Sequence, residues 1–324
     1  TPTAGLPELR RLIAEKLDRE NGLPYTPDQI LVTAGGKQAL FNVALALLDP
    51  GDEALILNPS WVTYPEIVKL AGATPVVIEA DETTGFKVTP RQLSAAITPR
   101  TRLMIFNSPS NPTGAVYSPA EIEALADVLV APQVIVVADE IYEKLIYGDL
   151  RHLSIGSLGS EVFALTITVN GFSKAYAATG WRLGYAAGPL PVIKAATAIQ
   201  SHSTSGANTF AQYGAIAALR GPQETVEKMR AIFEQRRDLM ITGLREIPGI
   251  TCPTPQGAFY AFPNISSTGL GSVAFCEQLL ERERVAAVPG IAFGADSHVR
   301  LSYATDAAMI REGLARLRHF VEAR

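Results

Sequence analysis

A chain of 324 residues, 47% hydrophobic and 19% charged, has enough apolar side chains for a large core, which excludes wholesale disorder; its length suggests roughly two domains. With 28 Lys and Arg against 32 Asp and Glu, the formal net charge of -4 argues against a nucleic-acid surface, although not against local cationic pockets. Cys252 and Cys276 are too few for a disulfide framework and stand in no metal-ligand spacing. No secretory signal or membrane-spanning apolar run is found, so the expectation is a cytoplasmic protein with no membrane partner and no metal.

The elements follow in order. "LPELRRLIAEKLDRE" (6–20) has helical spacing, "QILVT" (29–33) reads as a strand, and "AGG" turns into a helix, "KQALFNVALALL" (37–48). "EALIL" (53–57) is a strand and "PEIVKLAG" (65–72) is helical. "RLMIF" (102–106), "QVIVVA" (133–138) and "ALTITV" (164–169) are further strands, with a helix at "SPAEIEALADVLV" (118–130) between the first two. Helices alternating with continuously apolar strands predict an α/β fold: a mainly parallel sheet sandwiched by helices. A long charged helix (222–247) leads into a mixed region with "GAFYAFPNI", a helix at "VAFCEQLLERE", then "HVRLSYA" and a closing helix. The predicted division is a large domain over 1–228 and a smaller α+β domain over 229–324. No apolar stripe marks a contact surface.

In open α/β sheets, ligands collect at the carboxyl ends of the strands. Here those ends read "TAGGK", "LNPSW", "FNSPSNPTG", "ADEIY" and "VNGFSK". Gly35 and Gly36 let a backbone approach an anion at a helix N-terminus, although a tight turn has the same composition. The loop matches neither the Walker pattern nor G-x-G-x-x-G, which disfavours a nucleotide site. Asp139 follows a buried strand, where a carboxylate is costly unless paired; it either caps the next turn or faces a cationic ligand group. In "NSPSNPTG", a cis X-Pro bond would aim Asn111 inward, and a plain surface loop is the alternative. Lys174 follows Ser173 directly after a strand, among small residues and Trp181. An enclosed amine there has a lowered pKa and is a nucleophile toward carbonyls. Arg182, eight residues on, suits a phosphate or carboxylate. Arg300, in the strand-like "HVRLSYA", is placed to reach an anionic substrate.

Together, "SKAYAATGWRLGY", "NSPSNPTG", "DEIY", "GGKQAL" and "HVRLSYA" resemble, in order and spacing, the class I aminotransferases of fold type I, which use pyridoxal phosphate. The wording of "TPTAGLPELR" and "GGKQALFN" is most similar to the bacterial aspartate aminotransferase subgroup, some members of which accept prephenate. The resemblance implies that Lys174 bonds to the cofactor aldehyde and moves the substrate proton, that Asp139 pairs with the pyridine nitrogen, and that Tyr142 and Asn111 hydrogen-bond the ring 3-oxygen. It places Trp61 on the ring, the phosphate between Arg182 and the N–H groups around Gly35, Gly36 and Lys37, and the substrate α-carboxylate on Arg300 beside Asn111. Lys37 would serve the distal carboxylate of a dicarboxylic substrate; a lysine pointing to water is the alternative.

The implied reaction is L-aspartate plus 2-oxoglutarate giving oxaloacetate plus L-glutamate, in a homodimer with sites at the interface. Prephenate or aromatic donors are the nearest alternative, and a non-catalytic sensor the remotest. Two departures stand out. The family's usual N-terminal segment, with a tyrosine just before the counterpart of "TPTAG", is not part of these 324 residues, and the sequence is read as a portion of a longer protein. A serine common in relatives three residues before the lysine is Gly171 here, with Ser173 as the substitute.

Overall fold

The computed structural model describes residues 1–323. In chain order, α1 (Pro7–Asn21), β1 (Ile30–Thr33), α2 (Gly36–Leu47), β2 (Glu53–Asn58), α3 (Thr63–Leu70) and β3 (Thr74–Glu79) come first. They are followed by α4 (Pro90–Ala96), β4 (Thr101–Asn107), α5 (Pro119–Val130), β5 (Ile135–Asp139), α6 (Ser160–Leu165), β6 (Thr166–Gly171) and β7 (Gly184–Ala187). Local chemistry sets several boundaries. Ser118 accepts from the Glu121 N–H while the Glu121 carboxylate accepts from the Ser118 N–H, a reciprocal cap that starts α5. Thr89 and Gln92 do the same for α4.

The seven strands form one sheet in the order β1-β7-β6-β5-β4-β2-β3. β7 alone runs against its neighbours, pairing antiparallel with both β1 and β6. The other pairs are parallel, so the expected mainly parallel sheet is observed. Apolar side chains pack on both of its faces: Leu31, Val137 and Val169 join the cluster around α2, while Met104, Val136 and Ala138 join the one around α5.

Beyond the sheet come α7 (Leu190–Ser203), α8 (Thr209–Arg220) and the 22-residue α9 (Glu224–Arg245). Then β8 (Tyr260–Ala261), α10 (Ser272–Glu283), β9 (Val288–Pro289), β10 (Val299–Ser302) and α11 (Ala307–Glu322) complete the chain. β8, β10 and β9 form a small antiparallel sheet. Phe233, Met240 and Leu244 of α9 share its core with Phe275 of α10 and Phe320 of α11. Tyr142, Leu145 and Tyr147, from the turn after β5, enter the same cluster, so the two sheets meet where β5 ends.

Some expectations need correction. Ala164 and Leu165, expected in a strand, close α6 instead, and β6 runs from Thr166 to Gly171. β3, α4, β7, α7, α8 and β9 carry no expected element. β3 is a half-exposed edge strand interrupted by Pro75, and β7 is a Gly-Tyr-Ala-Ala run with weak strand propensity. Trp181 is 52% exposed, and Phe210 and Tyr213 of α8 are exposed as well, which the sequence does not mark. No helix among the described residues is long and apolar enough to cross a membrane.

Candidate active site

A cavity of about 260 Å³ opens where the carboxyl ends of β4, β5 and β6 meet the start of α2 and the small sheet. Gly36, Lys37, Trp61, Asn111, Asp139, Tyr142, Ser173, Lys174, Arg182 and Arg300 line it, although they come from places up to 264 residues apart in sequence. Gly35 stands behind this wall. Its φ of 82° is left-handed, and a Cβ there would lie 2.6 Å from Nη2 of Arg182.

One end of the cavity is built for an anion. α2 begins at Gly36, and the first N–H groups of a helix have no partner within it. Arg182, itself at φ 51°, donates through Nη1 to the Thr179 carbonyl at 3.0 Å and lies against Gly35. Gly184 of β7 completes the cradle. A Cβ on it would collide with the Gly36 nitrogen and lie 2.6 Å from the Gly35 carbonyl carbon.

The other end holds a buried acid. Asp139 closes β5; burial pushes its pKa up to about 6, against the hydrogen bonds from Tyr64 and the Ile141 N–H and the attraction of Lys174. Tyr64 Oη donates to Asp139 Oδ2 at 2.8 Å, and the Ile141 N–H to Oδ1 at 3.2 Å. Asn107 ties the neighbouring strand end, donating to the Asp139 carbonyl at 2.9 Å and accepting from the Asn111 N–H at 2.9 Å. The Ser108–Pro109 and Asn111–Pro112 bonds are both cis.

Lys174 sits between these ends. Its ammonium lies 5.1 Å from the Phe259 ring and 5.7 Å from that of Tyr142. Burial lowers its pKa, and Arg300 and Arg182 lower it further, while Asp139 opposes them. Tyr142 Oη and Tyr260 Oη are 2.8 Å apart. Arg300 packs against Tyr260 (4.5 Å) and Phe293 (4.8 Å) and donates to Asn111 Oδ1 at 2.8 Å. Lys37 faces the cavity with its ammonium 4.8 Å over the Trp61 ring.

The glycine at 171 has a steric basis. A Cβ at Gly171 would lie 2.9 Å from both Gly184 Cα and the Leu183 carbonyl, so no side chain fits unless β7 moves. Ser173 lines the cavity, and its carbonyl accepts from Thr179 Oγ1 at 3.0 Å. Sequence reasoning missed Tyr64, Asn107, Thr179 and Tyr260, all in the cavity wall.

A primary amine with a lowered pKa, a buried carboxylate and an anion cradle suit an aldehyde that bears a cationic ring and a phosphate. Comparison with known proteins agrees. The sequence profile of the class I and II aminotransferases matches residues 1–317. The chain is 51% identical to an aspartate aminotransferase of Geobacillus stearothermophilus, over all of this chain and 84% of that protein. It is 50% identical to an aspartate/prephenate aminotransferase of Cereibacter sphaeroides, over 99% of this chain and 83% of that one. Among solved structures, the aspartate aminotransferase of Rhizobium meliloti superposes with a TM-score of 0.96 at 44% identity, covering 99% of this chain and 83% of its own. Pyridoxal phosphate is the cofactor of this family, and the chain belongs to the class I and II aminotransferases.

Proposed function

We propose that the protein is an aspartate aminotransferase, exchanging the amino group of L-aspartate with 2-oxoglutarate. The observation that carries this reading is the pair of cations in one cavity: Arg300, fixed by Asn111, and Lys37, over Trp61. Two separate cations suit a substrate with two carboxylates.

Pyridoxal phosphate, when bound, supplies the aldehyde that receives the amino group and a ring that withdraws electrons from the substrate Cα. The residues around it have these roles. Arg182 and the N-terminus of α2, with Gly35, Gly36 and Gly184 allowing close approach, would hold the phosphate. Asp139 would supply a negative charge to the ring nitrogen, and Tyr142 and Asn111 would supply hydrogen bonds to the ring oxygen. Trp61 would pack against the ring, and Ser173 adds a polar group beside Lys174. Arg300 binds the α-carboxylate and orients the Cα–H bond. Lys174, with an amine pKa already lowered by burial, takes the proton from Cα. Arg300 and Arg182 favour the neutral amine that this step needs.

The same reading includes a homodimer in the cytoplasm. The exposed aromatic side chains of Trp181, Phe210 and Tyr213 support the homodimer, and the two buried, unpaired cysteines are consistent with the compartment. Aromatic or prephenate donors are a second reading, supported by the aromatic wall of Trp61, Tyr64, Tyr142 and Tyr260. Lys37→Ala separates the two. Loss of aspartate turnover with aromatic turnover retained supports the dicarboxylate reading, and unchanged aspartate turnover overturns it.

A further inference from the structure

Arg300 is reached from the large sheet by a second route that leaves the cavity. His298, two residues before it, is 6% exposed, and its ring stacks on Phe262 with centroids 4.9 Å apart and planes 10° from parallel. His298 Nε2 lies 2.7 Å from Glu82 Oε1, and Asn264 Nδ2 donates to the same oxygen at 2.8 Å. Glu82 belongs to the short turn Glu82–Thr84, just past the end of β3 in the large sheet. His298 and Asn264 flank the small sheet, bridged to one another and joined to β10 through the Val299 N–H and the Pro263 carbonyl.

The segment before β10 is held on both sides. The His298 carbonyl accepts from the Gly290 N–H at 2.9 Å, and the Phe293 carbonyl accepts from the Ser60 N–H at 3.2 Å, beside Trp61. Phe293 is 2% exposed, packs edge-on to Phe262, and presents its ring to the Arg300 guanidinium. One carboxylate just past β3 thus anchors the histidine, the histidine stacks on Phe262, and Phe293, edge-on to Phe262, is one of the two rings on which the guanidinium rests.

We propose that Glu82, through His298 and Asn264, is a positioning residue for Arg300. It ties the segment 290–298 to the large sheet and so sets where the guanidinium meets the substrate carboxylate. The inference rests on the reading of Arg300 as the α-carboxylate site. Glu82 touches neither the cavity nor the cofactor cradle, so its loss acts on substrate binding and leaves cofactor retention unchanged.

The test uses the holoprotein and the variants Glu82→Ala, Glu82→Gln and His298→Ala. Dissociation of maleate, an unreactive dicarboxylate, is measured alongside steady-state kinetics with L-aspartate and the affinity for pyridoxal phosphate. Glu82→Ala and His298→Ala are expected to raise the maleate Kd and the aspartate KM together by about tenfold, because Arg300 binds the carboxylate that both ligands carry. Glu82→Gln keeps an oxygen acceptor for both donors and restores most of the loss. Wild-type maleate and aspartate constants in Glu82→Ala overturn the proposal, as does a loss confined to kcat and cofactor affinity. A wild-type protein that binds maleate without transaminating aspartate contradicts the proposed reaction, while the Kd comparison still decides the role of Glu82. A wild type that does not bind maleate overturns both.

Discussion

Asp139 is an acid whose ionisation depends on its neighbours. Burial raises its pKa to a net value of about 6, and the Tyr64 hydroxyl is the foremost of the groups holding it down. Binding a cationic ring lowers that pKa again, so binding releases a proton. Affinity for pyridoxal phosphate then rises with pH up to about 6 and levels off above it. Removing the hydroxyl in Tyr64→Phe moves that midpoint to higher pH, so cofactor binding at neutral pH weakens by the cost of ionising Asp139 there. Cofactor titrations of apoprotein from about pH 5 to 8 check this, with Asp139→Asn as the variant that lacks this midpoint. At this scale the sequence was legible for Lys174, Arg182, Asp139 and Arg300, because charged groups beside apolar strands have few bland explanations. Tyr64 was not legible. An aromatic in an amphipathic helix reads as core, and its partner is 75 residues away.

Among the elements, the regular ones were plain from periodicity, whereas β7 was not. Gly-Tyr-Ala-Ala is a poor strand sequence because its glycine meets a different demand: Gly184 has to touch the Gly35–Gly36 backbone. A methyl group there has no space, and the neighbour that yields is the anion cradle itself. Gly184→Ala is therefore expected to destabilise the fold by about 1–3 kcal/mol and to weaken cofactor binding disproportionately. Urea unfolding of apoprotein and holoprotein side by side measures both effects. Destabilisation of the same size with and without cofactor contradicts the cradle assignment. α7 and α8 went unread for lack of strong polar-apolar contrast, and the surface aromatics of α8 declare themselves only once folded. The division proposed between residues 228 and 229 falls near the start of α9, whose buried side chains pack with the small sheet.

Across the whole molecule, a buried polar network ties α1 to the turn that follows β5. Lys16 pairs with Glu143, and Asn21 donates to Glu143 Oε2 at 2.7 Å and to Ser154 Oγ at 2.9 Å. Ser154 donates to Glu140 Oε2 at 2.7 Å, with His152 3.1 Å from the same oxygen. Burial would push the Glu143 pKa up, but Lys16, His152, Lys144 and Asn21 hold it at about 2. A depressed carboxylate stabilises the fold above its ordinary pKa of 4.5 and loses that contribution as pH falls through about 2. Lys16→Met, which leaves Glu143 buried without its partner, is expected to cost about 3–5 kcal/mol near neutral pH. The deficit shrinks as Glu143 takes up a proton in acid, and urea unfolding at neutral and acid pH follows it. A pair spanning 127 positions leaves no local trace, so none of this network was legible beforehand.

The central claim is that these parts form one aspartate-transaminating site around Lys174. The most direct measurement is the visible absorption spectrum of protein loaded with pyridoxal phosphate, before and after L-aspartate and then 2-oxoglutarate. The account predicts a visible band that needs Lys174, moves to shorter wavelength with aspartate, and returns with 2-oxoglutarate. A band unchanged by aspartate, or one that Lys174→Ala forms as readily as the wild type, would contradict it.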